Sequence, residues 1–347
     1  MRGPWLCWAL AAAASLAAVG ARAEAPTPAI IAPLAVRSLL LDVVAIPGGG
    51  LVAVGERGHI LTSADGSAWS QAPAPARSGL TAVRFVDAKH GWAVGHDEVI
   101  LATSDGGASW RVAHYAPQRQ QPLLAVSFAD ASHGLAVGAF ATIYATDDGG
   151  TTWTPREFAP RGLKVAVPKG APKPGANPTA AAMREDEGVT QPHLNAIARG
   201  GDGSLYLAAE AGHLYRSPDG GQSWDELPSP YEGSFFGLLP LEGSHLLVFG
   251  LRGHLYRSDD SGHSWRGLES HTKALLAGAT RLADGTIVIV GLAGTVLVSR
   301  DGGETFALHQ EADRKGFDAV APAGDGVVIV GEAGVRALSR ATLGSGG

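Results

Sequence analysis

The sequence predicts an all-β fold: a seven-bladed β-propeller with four-stranded blades, its ring closed by an N-terminal strand. Three observations predict it. An apolar run closing on a Val-Gly pair recurs along the chain, an acidic glycine-rich turn ending in an aromatic follows it in phase, and no apolar period of 3.6 is sustained.

The pairs are Val54-Gly55, Val94-Gly95, Val137-Gly138, Val290-Gly291 and Val330-Gly331, with Ala209-Glu210 and Phe249-Gly250 in the equivalent places. Their second members lie 40, 43, 72, 40, 41 and 40 residues apart, which makes seven copies. After each pair the chain turns and enters a second apolar stretch, as in Gly58-His59-Ile60-Leu61 and Gly253-His254-Leu255-Tyr256. Each unit has room for four short strands, in the second unit residues 80–86, 91–95, 99–103 and 109–114, rich in Val, Leu and Ala and separated by Gly and Asp. Four strands per repeat is the blade of a propeller, where stacked sheets bury both faces. A β-helix built on such turns would repeat over a much shorter distance. The seventh unit stops after residues 335–338 without an outer strand, while residues 30–36 precede the first unit without a partner in it. The N-terminal segment is therefore expected to supply that outer strand and cover the open edge.

The acidic turn of the second unit reads Thr103-Ser104-Asp105-Gly106-Gly107-Ala108-Ser109-Trp110. Sister turns occupy residues 146–153, 217–224, 258–265 and 299–306, and a copy one residue shorter occupies 63–69. These turns resemble the Asp box of bacterial neuraminidase repeats, Ser-x-Asp-Gly-Gly-x-Ser/Thr-Trp. Their physics favours structure over chemistry for Asp65, Asp105, Asp148, Asp219, Asp260 and Asp301. A carboxylate there accepts turn N–H groups, the glycines allow positive φ, and the aromatic buries a large apolar area. Five of the six tryptophans beyond residue 23 hold this aromatic position, as a packing role requires.

The 72-residue spacing carries an excess that maps to residues 155–191, with Pro155, Pro168, Pro172, Pro174 and Pro178 and the charged run Arg184-Glu185-Asp186-Glu187. This is loop composition between blades 3 and 4, read either as a disordered surface insertion or as an ordered, partner-binding lid loop.

At the start, Arg2, an apolar run over residues 5–19 and Ala21-Arg22-Ala23 read as a secretory signal, residues 1–23, cleaved before Glu24 or kept as an anchor. The apolar run falls short of the roughly twenty residues of a membrane span. Residues 24–347 are expected to form one propeller domain, periplasmic or secreted, with no membrane insertion after cleavage. Cys7, the only cysteine, lies within the signal, so the exported chain carries no thiol, disulfide or Cys-based metal site. Cleavage leaves 25 basic and 33 acidic residues, a net charge of −8 without a basic block, which argues against nucleic acid as a partner.

Because sialidases share the Asp box, a carbohydrate-binding or glycosidase propeller is the alternative reading. Sialidases need an arginine cluster opening on Arg-Ile-Pro, a Tyr nucleophile with a Glu partner, and an Asp acid/base. No Arg-Ile-Pro occurs, and Tyr144, Tyr215 and Tyr256 hold equivalent third-strand positions, as packing residues do. Of the twelve histidines, five are phased with the repeat, His59, His213 and His254 at one position and His90 and His133 at another, which disperses them around a ring. A metal site must gather its ligands at one ion. No catalytic residue, metal or cofactor is expected.

Leu80-Thr81-Ala82-Val83-Arg84-Phe85-Val86-Asp87, then His90-Gly91-Trp92-Ala93-Val94-Gly95, then the acidic turn, form a pattern repeated over residues 123–130 and 133–138. In it the chain resembles the photosystem II stability/assembly factor family. That resemblance implies an exported seven-bladed propeller that binds proteins. The photosynthetic members help to assemble photosystem II by binding its subunits, and similar proteins in other bacteria accompany exporters of the resistance-nodulation-division class. It implies here a monomeric, non-enzymatic assembly factor for a membrane or envelope protein complex, meeting its partner through surface arginines. The positions that correspond are Arg57 and Arg252, in Gly-x-Arg-Gly-His turns, and Arg216 and Arg257, in His-Leu-Tyr-Arg-Ser. Turns between second and third strands vary most while the strands repeat, and recognition is usually built on such loops. Glu56, His96 and Phe140 join the candidates on that ground.

Overall fold

The computed structural model describes residues 25–162 and 191–344. The expected export signal, Cys7 and residues 163–190 of the expected insertion lie outside the described residues.

Each blade starts from one large apolar side chain driven into the seam with its neighbour. Leu40, Leu80, Leu123, Leu194, Phe235 and Leu276 are wholly buried, and Phe317 nearly so. The first sheet runs Leu40–Ala45, Leu51–Gly55, Ile60–Ser63 and Ser70–Gln71, antiparallel and in sequence order from the centre outward. The second repeats it with Leu80–Phe85, Gly91–Gly95, Ile100–Thr103 and Arg111–His114. Four more four-stranded sheets follow, with inner strands Leu123–Phe128, Leu194–Arg199, Phe235–Pro240 and Leu276–Arg281. The seventh holds Phe317–Ala323, Gly326–Gly331 and Gly334–Leu338. Each inner strand packs on the next, and Leu40–Ala45 packs on Phe317–Ala323, so seven blades close a ring. Among the described residues the one α-helix is the short Arg340–Gly344.

The second strands are buried along their whole length because a blade lies on either side, which is why their sequences are apolar at every position. The glycine that ends each of these strands answers to close approach rather than to torsion. Gly95 is extended, at φ −177°, but a Cβ on it would stand 2.0 Å from the Gly79 carbonyl oxygen that opens the inner strand. Blade 4 solves this differently from the expected alignment. Its second strand is Leu205–Ala209, so the residue equivalent to the glycine is Ala209, one place before Glu210. A backbone at φ −137° there makes room for the methyl group.

The acidic turns are stitched by their own side chains. In blade 2 the Thr103 hydroxyl donates to Asp105 Oδ1 at 2.7 Å and accepts the Gly107 N–H at 3.0 Å. Asp105 also accepts the Ser109 N–H at 2.9 Å, and Trp110 Nε1 donates to the Gly107 carbonyl at 3.0 Å. Gly106 and Gly107 need φ of 75° and 89°, which glycine adopts without steric cost. Asp148, Asp219, Asp260 and Asp301 each accept the corresponding N–H in their own turns, and in the shorter first turn Asp65 accepts the N–H of Ser67, two residues on.

At the seventh blade the N-terminal segment reaches the expected place in a different conformation. Residues 30–36 close the seam between blades 7 and 1, but they pass the edge of Gly334–Leu338 as extended chain and the tight turn Ala35–Arg37, leaving this sheet with three strands. Two causes act together. Pro33 has no N–H to give a ladder, and Gln71 of blade 1 captures the segment first, its Oε1 accepting the Ala32 N–H at 2.8 Å and its Nε2 donating to the Ile30 carbonyl at 3.0 Å. The turn then wedges Ala35 and Val36 against Trp69 and Val335.

The insertion also begins later than residue 155, because Thr154–Arg156 is the outer strand of blade 3, an edge position that tolerates Pro155. From there the chain crosses to blade 4, where Phe158 packs on Tyr215 and Trp224 and the Arg161 N–H donates to the Trp224 carbonyl at 2.8 Å. The seven inner strands surround a central channel of about 660 Å³, lined among others by Asp42, Arg84, Asn195, Arg199, Phe236 and Asp318.

Candidate binding face

Antiparallel strands alternate the ends at which their connections lie, so a propeller has two chemically distinct ends. Here hydrogen bonds mark them. Each turn between second and third strands is tied to the residue that opens its inner strand, as in Glu56 N–H to Leu39 O (3.0 Å) and His96 N–H to Gly79 O (2.9 Å). The acidic turns are tied instead to the turns between first and second strands, as in Gly106 N–H to Lys89 O (3.0 Å).

On the first end six blades repeat one device. The turns Glu56–Gly58, His96–Glu98, Ala139–Ala141, Glu210–Gly212 and Leu251–Gly253, with residues 292–294, each put their middle residue in the left-handed region. Those residues are Arg57, Asp97, Phe140, Ala211, Arg252 and Ala293, with φ between 52° and 60°. For a side chain other than glycine that conformation costs about 1–2 kcal/mol. The turn is held by an N–H to C=O bond across it, 3.0 Å from His59 to Glu56 and 3.1 Å from His254 to Leu251. The result is a set of varied side chains presented from one rigid backbone position around the ring.

Arg57 is open to solvent, its side chain 77% exposed and a distant 4.0 Å from the Glu56 carboxylate. Arg252 is exposed and has no ion pair among the described residues. His96 is exposed next to Asp97, which accepts the Ser78 hydroxyl at 2.6 Å. Phe140, half exposed, rests edge-on against His193 at 4.9 Å between ring centres, and Leu292 is also exposed. Arg57, Arg252, Glu56, His96 and Phe140 therefore share one end of the molecule.

Arg216 and Arg257 do not lie on that end. Both lie late in a third strand, close to the acidic turn, hence at the opposite end. Arg216 pairs with Asp202 at 3.1 Å and donates to the Ser204 hydroxyl at 2.8 Å. The Arg257 side chain is only 7% exposed; it reaches Asp259 at 2.7 Å, the Gly302 carbonyl at 2.6 Å and Glu304 at 3.3 Å, clamping blade 5 to blade 6. The acidic-turn aspartates are at this end too. The Ser109 hydroxyl and N–H, with the Thr103 hydroxyl, hold Asp105 down to about 2.

A further cluster on the first end has no counterpart in the sequence reading. Glu98 is wholly buried beneath its turn, with Arg119 Nε at 3.1 Å, His114 Nε2 at 3.5 Å and the Tyr144 hydroxyl donating to it at 2.8 Å. A Tyr–Glu pair beside an arginine is the set a sialidase uses, but this one is built the wrong way for a nucleophile. Burial and the bond to Glu98 push the Tyr144 phenol up to about 12, and the ring is 3% exposed. Burial likewise lowers His114. The cluster welds blade 2 to blade 3. Only a signal linking residues 98, 114, 119 and 144, which sit in four different elements, would have revealed it. Among the described residues no three His, Cys, Asp or Glu side chains are placed to hold a metal ion.

Comparison with known proteins follows these lines. The family model described as photosynthesis system II assembly factor YCF48 matches residues 61–123. No curated protein sequence matches the chain. Among solved structures, YCF48 bound to D1 peptide is 18% identical, with a TM-score of 0.63, covering 90% of this chain and 98% of that one. YCF48 from Cyanidioschyzon merolae is 16% identical, with a TM-score of 0.63 and coverage of 88% and 97%. The WD40 β-propeller domain of Doa1 is 12% identical, with a TM-score of 0.64 and coverage of 87% and 93%, so the ring itself is common to propellers of other families. The chain is a seven-bladed propeller that is similar, over residues 61–123, to the photosystem II assembly factor family.

Proposed function

We propose that this protein is an exported binding propeller, without catalytic activity, that acts as an assembly or stability factor by holding a segment of a membrane or envelope protein on the end that carries the left-handed turns. One observation carries the reading: six blades present a varied residue from the same strained, rigid backbone position on one end, with Arg57, Phe140 and Arg252 open to solvent. Strain kept at a repeated surface position is characteristic of recognition sites. Exposed arginines beside apolar Phe140 and Leu292 suit a protein surface, whereas a sugar site would want stacked aromatics. The similar YCF48 structure holds a D1 peptide, which supports a peptide as the ligand class. With residues 1–23 as an export signal, binding takes place in the periplasm or outside the cell.

The test is a pull-down from detergent-solubilised membranes with the Arg57→Glu, Arg252→Glu double variant, after its melting temperature is shown to equal that of the parent. Loss of a partner that the parent captures supports the proposed face. Undiminished capture by the folded variant rejects the two arginines as anchors.

A further inference from the structure

The second surface is a missing strand, and it stands independently of the binding face above. In six blades the third strand is covered by a fourth over two to four residues, from Leu61 and Thr62 on Gln71 and Ser70 to residues 295–298 on residues 307–310. In blade 7 the third strand, Gly334–Leu338, pairs only inward, with Gly326–Gly331. Its outer edge has no ladder partner among the described residues.

The sister blades say which groups are left open. Val335 faces Val330 as Ile60 faces Val54 and Leu214 faces Ala208. In blades 1 and 4 those equivalents, Ile60 and Leu214, accept N–H groups from beyond the third strand, from Ala72 and Leu227, both at 2.9 Å. Since N–H and C=O of one residue point the same way in an antiparallel ladder, Val335 and Ala337 turn theirs outward. Arg336 turns inward to the ladder with Ile329, and its side chain is held by Glu311 at 2.8 Å and by Asp313.

The rim beside this edge has its own chemistry. Ile30, Ile31 and Leu34 are 57–65% exposed, three of the six exposed large apolar side chains among the described residues. They belong to the segment whose turn touches the edge at Gly334, where an added Cβ would stand 2.0 Å from the Val36 carbonyl oxygen and 2.6 Å from Arg37 Cα. Arg37 is exposed and has no ion pair among the described residues. An unpaired strand edge binds extended peptides by completing its ladder, and a free cation at one end selects an acidic residue. We infer that the outer edge of blade 7 accepts a short extended segment of a partner protein as its fourth strand, antiparallel to Gly334–Leu338, with apolar side chains on Ile31 and Leu34 and an acidic one near Arg37.

The experiment uses the full chain and a fluorescein-labelled ten-residue peptide of alternating Val and Thr with one Glu. Binding is followed by anisotropy, and hydrogen exchange is read at the Val335 and Ala337 amides. The expected result is saturable binding that protects both amides and that weakens about tenfold or more when alternate peptide nitrogens are methylated, since those bonds form the ladder. Arg37→Glu should weaken the Glu peptide and favour a Lys peptide. Ala337→Pro, which removes one outward donor, should abolish binding; if it fails to fold, the methylated peptide still decides. Three results would overturn the inference: no binding, binding indifferent to methylation, or amides protected before any peptide is added. In that last case, protection lost on deleting residues 1–24 assigns the slot to the chain's own N-terminus, and protection rising with protein concentration assigns it to a second copy.

Discussion

Asp318 lines the channel from the inner strand of blade 7, where burial, with Glu332 adding a like charge, raises its pKa from 3.8 to about 6. A carboxyl raised in the fold favours folding only while protonated. Its contribution is complete below the unfolded value and is lost as pH climbs through the folded one. The protein should therefore lose up to about 3 kcal/mol from this residue between pH 4 and 7, and Asp318→Asn should be the more stable protein at pH 7 with a flatter profile. Urea midpoints at the two pH values check this. Trp110 makes a different point at the same scale. It is 8% exposed and meets Phe85 edge-on at 6.2 Å, so Trp110→Ala should cost about 3–5 kcal/mol. Loss of partner capture without that loss of stability would make the acidic turn a binding element instead of a packing one.

Among elements, the acidic turns were readable because the side-chain hydrogen bonds of the aspartate lie within seven residues, from Thr103 to Asp105 to Ser109. Asp105→Ala should accordingly cost about 1 kcal/mol, the worth of an exposed turn's bonds, measured by thermal melt. What could not be read depends on residues far apart. The third partner of the seam between blades 7 and 1 is a turn and not a strand because Gln71, some forty places on, takes the backbone of residues 30 and 32. The one-place offset at Ala209 turns on a local backbone change, φ −137° where Gly95 stands at −177°. Arg257 looked like a surface cation in its His-Leu-Tyr-Arg-Ser run, yet the next blade's Glu304 and Gly302 bury it. Removing residues 1–37 would strip Ala35 and Val36 from Trp69 and Val335. About 2 kcal/mol should be lost by burial arithmetic, with far-ultraviolet circular dichroism unchanged; an unaltered urea midpoint would show that the segment does not seal the seam.

For the molecule as a whole, six seams join blades adjacent in the sequence and one joins blade 7 back to blade 1. The ring was legible because every repeat buries the same positions, and which turns share an end was legible from strand alternation alone. Truncation after residue 315 removes blade 7 and lays bare two blade faces whose second strands are apolar throughout, so such a chain should bind the dye ANS strongly and lose its near-ultraviolet circular dichroism. The seventh seam has a kinetic meaning as well. It brings residues 40–45 against residues 317–323, a contact spanning most of the polypeptide, and the entropy of closing so long a loop must be met before that contact stabilises anything. Blades can form one after another as the chain emerges, but the circle cannot shut until nearly the last residue is available. Until then the leading face of blade 1 stays open, and the time spent in that state sets how long the newly made protein is exposed to aggregation and proteases.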